Sequence, residues 1–372
     1  MSNKLRAGVI GCGSISSNHV GGYINSGRYE VVALADLNES AMADMDAKFK
    51  IQTKHYADAR EMLSKEQLDV VSVCVWHGGH HTWTIAAAAY KPKAIICEKP
   101  MADTIGHAEQ MITACKRNQI KLVIGHQRRF LPAYTLAKEL IAQGAIGAVQ
   151  QIVSFGGQGL PNFSSHQTDM YRYLLSDDEC EWVMGNVERK TDMYERATRI
   201  EDCALGVFQF KGGARALLLS DVAPIMYQGA QIYGSEGMIN MSTNNLQLLS
   251  QATGGKWETH APDGKFFKEA AEGDRFEWLE GGAAQAAELA DWLEGTVPTH
   301  RGRAENGYKA LEMIHGIYES ARMHEKVILP MRTRDNPLDL MVESGHLVPE
   351  RPGRYDIRAF LLRGERMTSD AE

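Results

Sequence analysis

This sequence predicts an α/β domain on a doubly wound parallel sheet, followed by an α+β domain with a large, mostly antiparallel sheet. Three observations carry the expectation. Apolar runs of strand length alternate with helical segments through the first third of the chain. A glycine-rich turn separates the first strand from the first helix. Near residue 128 the pattern changes to segments of two-residue alternation. The boundaries fall at 1–127, 128–331 and a C-terminal tail or arm at 332–372.

Leu5 to Ile10 is an apolar run that ends at Gly11, and a helix should follow from about Ser14 to Gly27. Tyr29 to Ala35 is a second buried strand. Asn38 to Phe49 has helical spacing, with Ala41, Met42 and Met45 on one face. Asp69 to Val75 is the next strand, and Thr82 to Tyr90 an alanine-rich helix. Lys93 to Cys97 and Lys121 to Ile124 are strands around a helix from about Ile105 to Arg117. In the second domain Gln150 to Ser154, Cys203 to Phe210 and Ala214 to Ser220 alternate, with Lys211-Gly212-Gly213 as a hairpin turn. Gln231 to Asn240 reads as two strands around a tight glycine turn. Helices are expected over Ser164 to Leu175, Ala283 to Glu294 and Ala304 to Arg322. In the tail, Leu338, Leu340, Met341, Val342, Ile357, Phe360, Leu361 and Leu362 are too apolar for a solvated linker. The tail is expected to dock on its own chain or on a neighbouring subunit, the alternative being a partly ordered terminus.

A chain of 372 residues with net charge −7 gives no electrostatic reason to bind nucleic acid or an anionic membrane. No apolar stretch approaches the roughly 20 residues that span a bilayer. No signal-peptide core precedes the first strand. The six cysteines are scattered, without a C-x-x-C pair, as suits reduced thiols in a cytoplasmic protein.

Gly11-Cys12-Gly13-Ser14-Ile15-Ser16 follows strand one and opens a helix. Gly11 permits the tight turn. Gly13 lets a pyrophosphate approach the backbone, where it would rest on helix N-terminal amides at Ser14 and Ile15. Ser16 stands where glycine or alanine completes the fingerprint, and it is still small. Asp36 ends strand two, at the distance where a carboxylate takes the ribose hydroxyls of an adenosine. It would oppose a 2′-phosphate, and no arginine follows in Leu37-Asn38-Glu39, so NAD is favoured over NADP. Asp36 or Asn38 equally suits a helix N-cap.

Glu98-Lys99-Pro100 follows the apolar run Ala94 to Cys97. A lysine at the mouth of a parallel sheet, on the dinucleotide side, is a candidate catalytic cation. Farther on, Gly159-Leu160-Pro161 breaks the chain. If a helix begins there, Asn162, His166 and Asp169 fall at i, i+4 and i+7 on one face. His166 can then exchange a proton with a hydroxyl near neutral pH. Asn162 can hydrogen-bond the substrate, and Asp169 can orient the imidazole or support the helix. His77, His80 and His81 look like a metal cluster, but no cysteine pair or nearby carboxylate completes a zinc set, and no metal is expected.

The glycine turn, Asp36, Glu98-Lys99-Pro100, Gly125-His126-Gln127-Arg128-Arg129-Phe130, the later H-x-x-D and Ile317 to Arg322 together resemble the Gfo/Idh/MocA oxidoreductase family, over about residues 5–330. The resemblance implies a Rossmann domain, an open-faced sheet domain and a sugar or polyol substrate between them. It also implies a homo-oligomer, dimer or tetramer, formed through that sheet. Lys99 maps to the lysine beside the nicotinamide and reacting hydroxyl, and His166 to the acid/base histidine. His77, His80 and Glu98 join the cofactor side, with Trp76 and His77 shaping the pocket. Gln127, Arg128, Arg129 and Tyr134 join the substrate or cofactor contacts, although Arg129 equally suits a structural arginine. The family usually has aspartate at Asn162 and glycine at Ser164, which implies an altered substrate or a larger burden on Lys99 and His166.

The expected activity is NAD-dependent oxidation of a secondary hydroxyl to a ketone or lactone. Two alternatives stay open. One is redox-neutral chemistry with retained NAD, such as glycoside cleavage or epimerisation. The other is a non-catalytic sugar or dinucleotide sensor, against which the retention of both Lys99 and His166 argues. The sequence does not decide whether Lys99 or His166 is the formal base.

Overall fold

The computed structural model describes residues 4–157, 159–221, 229–267 and 276–358. The chain divides into two compact units, one of Met1–Ala102, His107–Pro132 and Asp263–Gly307, the other of Asp103–Gly106, Ala133–Pro262 and Tyr308–Glu372. Residues 263–307, expected from the sequence in the second domain, fall in the first unit.

The first unit opens with β1 (Leu5–Ile10), α1 (Ser16–Ser26), β2 (Tyr29–Ala35), α2 (Glu39–Phe49), β3 (Lys54–Tyr56), α3 (Ala59–Lys65) and β4 (Val70–Val73). It continues through α4 (His80–Ala89), β5 (Ala94–Cys97), α5 (Ile105–Arg117) and β6 (Lys121–Ile124). The six strands are parallel, in the order β3-β2-β1-β4-β5-β6. That order places a topological switch between β1 and β4, where ligands of such sheets bind beyond the strand carboxyl ends. Apart from the edge strand β3, the strands are near-continuous apolar runs, as in parallel sheets covered on both faces.

The second unit contains α6 (Pro132–Ala142), β7 (Val149–Gly156) and α7 (Ser165–Leu174). The strands β8 (Cys180–Glu188), β9 (Thr191–Glu195), β10 (Thr198–Arg199), β11 (Cys203–Phe210) and β12 (Arg215–Ser220) follow. Next come β13 (Ala230–Gly234), β14 (Gly237–Met241), β15 (Leu246–Ser250) and β16 (Glu258–His260). After α8 (Phe276–Glu294) come α9 (Ala304–Met323), β17 (Val327–Ile328), α10 (Pro337–Glu343) and β18 (Arg351–Asp356). Nine strands form one sheet, in the order β16-β15-β14-β13-β7-β12-β11-β8-β17. Only β12 and β7 pair in parallel among its described strands. Alternate residues of β11 and β12 are buried, which is the two-residue period seen in the sequence.

The helix α8 belongs with the first unit. Ala286, Leu289 and Ala290 join the core of Val9, Val20, Tyr23 and Leu34. Gly22 lets α1 and α8 meet backbone to backbone, since a Cβ there would lie 2.5 Å from the Gly282 carbonyl oxygen. Tyr29 Oη donates to the Ala286 carbonyl at 2.7 Å, and Arg28 pairs with Asp291 and Glu294.

The tail docks on its own chain as far as it is described. Leu338 and Met341 of α10 are buried. β18 pairs with β9 in a second sheet, ordered β10-β9-β18. Asp356 accepts hydrogen bonds from the Arg196 and Ala197 amides. Phe360, Leu361 and Leu362 lie outside the described residues. No described helix is long and apolar enough to cross a membrane.

Candidate active site

In the first unit every expected site segment follows the carboxyl end of a parallel strand. Gly11 to Ile15 follow β1, Asp36 follows β2, His77 follows β4, Glu98 and Lys99 follow β5, and Gln127 follows β6. Each exit stays tied to a neighbouring strand. Gly11 N donates to the Ala35 carbonyl, Glu98 N to Val73 and Gly125 N to Cys97, all at 2.8 to 3.0 Å.

Gly11 has φ +90°, and a Cβ there would press into the Cys74 backbone at 2.8 Å, so the turn requires glycine. A Cβ on Gly13 would meet nothing within 4 Å, and the turn is open above it. Ser16 N and Ser16 Oγ both donate to the Gly13 carbonyl, which closes the turn onto α1. No acidic residue occupies the first turn of α1, so nothing there opposes an anion. Asp36 Oδ2 accepts the Cys12 amide at 2.7 Å, and Oδ1 accepts the Asn38 amide at 2.8 Å. The carboxylate is thus pinned beside the glycine turn. The cap of α2 is Asn38, whose side chain accepts from Ser40 N. Burial, with Asp36 and Asp46 nearby, pushes the Cys12 thiol up to about 12, so it is no nucleophile.

Around Glu98-Lys99-Pro100 the structure adds partners that the sequence did not show. Glu98 is buried, and its Oε1 faces His19 Nε2 at 3.0 Å. Its Oε2 accepts the Lys99 amide at 3.2 Å. Burial alone would raise the carboxyl, but the His19 hydrogen bond and the nearby Lys99 outweigh it and hold it below the ordinary range. His80, expected at the cofactor, is fully buried and turned into the protein. Its Nδ1 lies 2.7 Å from the Pro100 carbonyl and its Nε2 3.0 Å from the Val75 carbonyl. Burial lowers its pKa in spite of those contacts. These contacts make His80 a brace between the exits of β4 and β5, and tie Glu98 to His19 and to the Lys99 amide. His77 is buried in a short 3-10 turn. His81 faces Gln110 and stacks on His107. Among the described residues no cluster could hold a metal ion. Gln127 and Arg129 are buried in the turn after β6, and Arg301 donates to the Arg129 carbonyl.

In the second unit the expected single helix is two pieces. Leu160–Ser164 is a π-helical turn, and α7 begins at Ser165. Asn162 therefore sits on a wider turn than His166 and Asp169, and the i, i+4, i+7 spacing of a uniform helix does not apply. π turns of this kind are frequent at functional sites. All three residues are buried, as is Tyr134. Two buried glutamates missed in the sequence hold this turn. Glu195 Oε1 accepts Asn162 Nδ2 at 2.6 Å, and Arg358 Nε approaches the same oxygen at 3.4 Å. Glu201 Oε1 accepts the Leu160 amide at 2.8 Å, and its Oε2 accepts the Tyr318 hydroxyl. Burial pushes Glu201 up to about 7, with Glu195 adding to the rise and the Tyr318 and Leu160 hydrogen bonds opposing it. Thr168 Oγ1 donates to the Ala310 carbonyl and so ties α7 to α9.

Comparison with known proteins gives the same outline. The model of the oxidoreductase family with an NAD-binding Rossmann fold (GFO_IDH_MocA) matches residues 5–126. The model of that family's C-terminal alpha/beta domain matches residues 138–329. A D-apiose dehydrogenase of Paraburkholderia graminis is 27% identical over 282 residues, covering 70% of this chain and 73% of that protein. A myo-inositol 2-dehydrogenase of Thermotoga maritima is 28% identical over 251 residues, covering 63% and 74%. A levoglucosan dehydrogenase solved with NADH and levoglucosan superposes with a TM-score of 0.76 at 22% identity, covering 88% of this chain and all of that one, and it shows the fold.

Proposed function

The chain belongs to the Gfo/Idh/MocA oxidoreductase family, an NAD-binding dehydrogenase family, and we propose that it oxidises a secondary hydroxyl of a sugar or polyol, with NAD preferred to NADP. The observation that carries the reading is the carboxyl edge of the parallel sheet, where the open glycine turn, the pinned Asp36 carboxylate and Lys99 all follow strand ends. These residues suit a dinucleotide. The amides of Gly13 to Ile15 would take the pyrophosphate, and Asp36 the adenosine ribose hydroxyls. Bound NAD would supply the hydride acceptor. Lys99 provides a cation for the charge that develops on the substrate oxygen. His166 exchanges the hydroxyl proton, and Asn162 binds a substrate hydroxyl. Inositol- and aldose-type substrates fit this chemistry equally. A homo-oligomer is part of the proposal, because the nine-stranded sheet leaves Met184, Leu205 and Ile328 exposed.

The test is a screen of free sugars, polyols and glycosides with NAD and with NADP, following cofactor reduction and product identity. The expected result is net NADH formation with one substrate class, and its loss in Lys99→Ala with NAD affinity retained. Near-normal turnover in Lys99→Ala would remove the lysine from the mechanism. Product formation without net NADH would favour retained-cofactor chemistry.

A further inference from the structure

Four buried polar side chains form one chain of hydrogen bonds beneath Lys99. Tyr23 Oη lies 2.7 Å from Ser72 Oγ, and Ser72 Oγ lies 2.9 Å from His19 Nδ1. His19 Nε2 lies 3.0 Å from Glu98 Oε1, and Glu98 Oε2 accepts the Lys99 amide. Ser72 comes from β4, His19 and Tyr23 from α1, and Glu98 from the exit of β5. The directions of the bonds follow from the inventory. A carboxylate only accepts, so His19 Nε2 carries the hydrogen toward Glu98. Gly125 leaves room for this carboxylate, since a Cβ there would lie 2.5 Å from Glu98 Oε1.

We propose that His19 is a positioning residue for Lys99: its imidazole holds the buried Glu98 carboxylate against the Lys99 amide and so keeps a fixed negative charge beside the lysine. This rests on the assignment of Lys99 to the reaction. A buried carboxylate without its donor is costly and takes up a proton instead. The groups acting electrostatically on Glu98 besides His19 are Lys99 and His80, and Glu98 in turn acts on Cys74 and Cys97. The His19 imidazole is hydrogen-bonded to one carboxylate oxygen, and the Lys99 backbone amide to the other. Removing the imidazole therefore neutralises Glu98, and the Lys99 ammonium loses a neighbouring anion.

The test needs no substrate. Lysines of the intact protein are reductively methylated with a 13C label, and the Lys99 resonance is assigned with Lys99→Arg. Its titration is then followed by NMR. In His19→Leu the Lys99 titration should move down by about one pH unit, the size of effect a close charge exerts. His19→Gln, whose amide can still donate to Glu98, should restore most of it. Glu98→Gln should reproduce the His19→Leu value, and the double variant should add nothing, because both act on one charge. An unchanged Lys99 titration in Glu98→Gln and His19→Leu would overturn the proposal. If His19→Leu does not fold, His19→Phe takes its place, and an unchanged Lys99 titration in Glu98→Gln would by itself overturn the proposal. The catalytic consequence is read separately. His19→Leu should lower kcat on the substrate found by screening and displace its pH profile, with NAD affinity unchanged. Absence of any turnover in wild type would count against the proposed activity and leave the titration result standing.

Discussion

Glu201→Gln should make the protein more stable, and only toward alkaline pH. Glu201 is fully buried between the Leu160 amide and the Tyr318 hydroxyl, with its pKa near 7 against an ordinary 4.5. Below about pH 4.5 the folded and unfolded chains both hold the proton, and the site contributes its full stability. Between 4.5 and 7 the folded chain keeps the proton while the unfolded chain sheds it, so stability falls as pH rises. Above 7 both states are ionised and the loss is complete. At 1.36 kcal/mol per pH unit the whole step is about 3 kcal/mol. The amide of the variant keeps an acceptor for Leu160 N, gains a donor toward Tyr318 Oη, and does not titrate. The unfolding entropy of 372 residues is about 0.8 kcal/mol per kelvin, so the step amounts to about 4 °C in Tm. Thermal melts of both proteins at pH 4.5 and pH 8 give the comparison. The advantage of the variant should grow by about that amount between the two. Taking the difference at each pH cancels every other titrating group. An advantage equal at both pH values, or a variant less stable at pH 8, would refute the reasoning.

Two further outcomes are expected. Asp36→Ala should weaken NAD about tenfold or more and NADP much less, by direct binding titration, since a hydrogen-bonded charge is worth about 1.5–3 kcal/mol; equal losses would show that the carboxylate serves only the Cys12 turn. Glu195→Gln should raise the KM for substrate several-fold, a loss of about 1 kcal/mol from weakening the charged hydrogen bond to Asn162, with NAD affinity untouched; an unchanged KM would separate Asn162 from substrate binding.

The parallel sheet was legible because each of its central strands is an apolar run between helices. β1 and β2 lie where the apolar runs predict them, and β4 is shorter by one to two residues at each end. β3 carries Lys54, His55 and Tyr56 at a sheet edge and has no apolar signal. The glycine turn and Asp36 could be read because a short-range pattern encodes them. The π turn at Leu160 could not, since it depends on Glu195 and Glu201 from later in the chain. Those glutamates sit in Glu195-Arg196-Ala197-Thr198-Arg199-Ile200-Glu201, which reads as a solvated stretch. Their burial arises from tertiary packing. His19 left one trace, its i, i+4 spacing to Tyr23 on a face that proves buried. Its partners Ser72 and Glu98 are 53 and 79 residues away, beyond the reach of any local pattern.

The helix α8 completes the core around β1 and β2 from more than 250 residues downstream. On the ribosome, the nucleotide-binding half therefore emerges with one flank of α1 bare. That flank is sealed only after Ala133–Pro262 of the other unit has been synthesised. A fragment ending at Pro132 would present Val20, Tyr23 and the Gly22 notch to water. The two units are thus linked in the order of their birth, and the first to be started is finished by a segment translated after most of the sheet of the second.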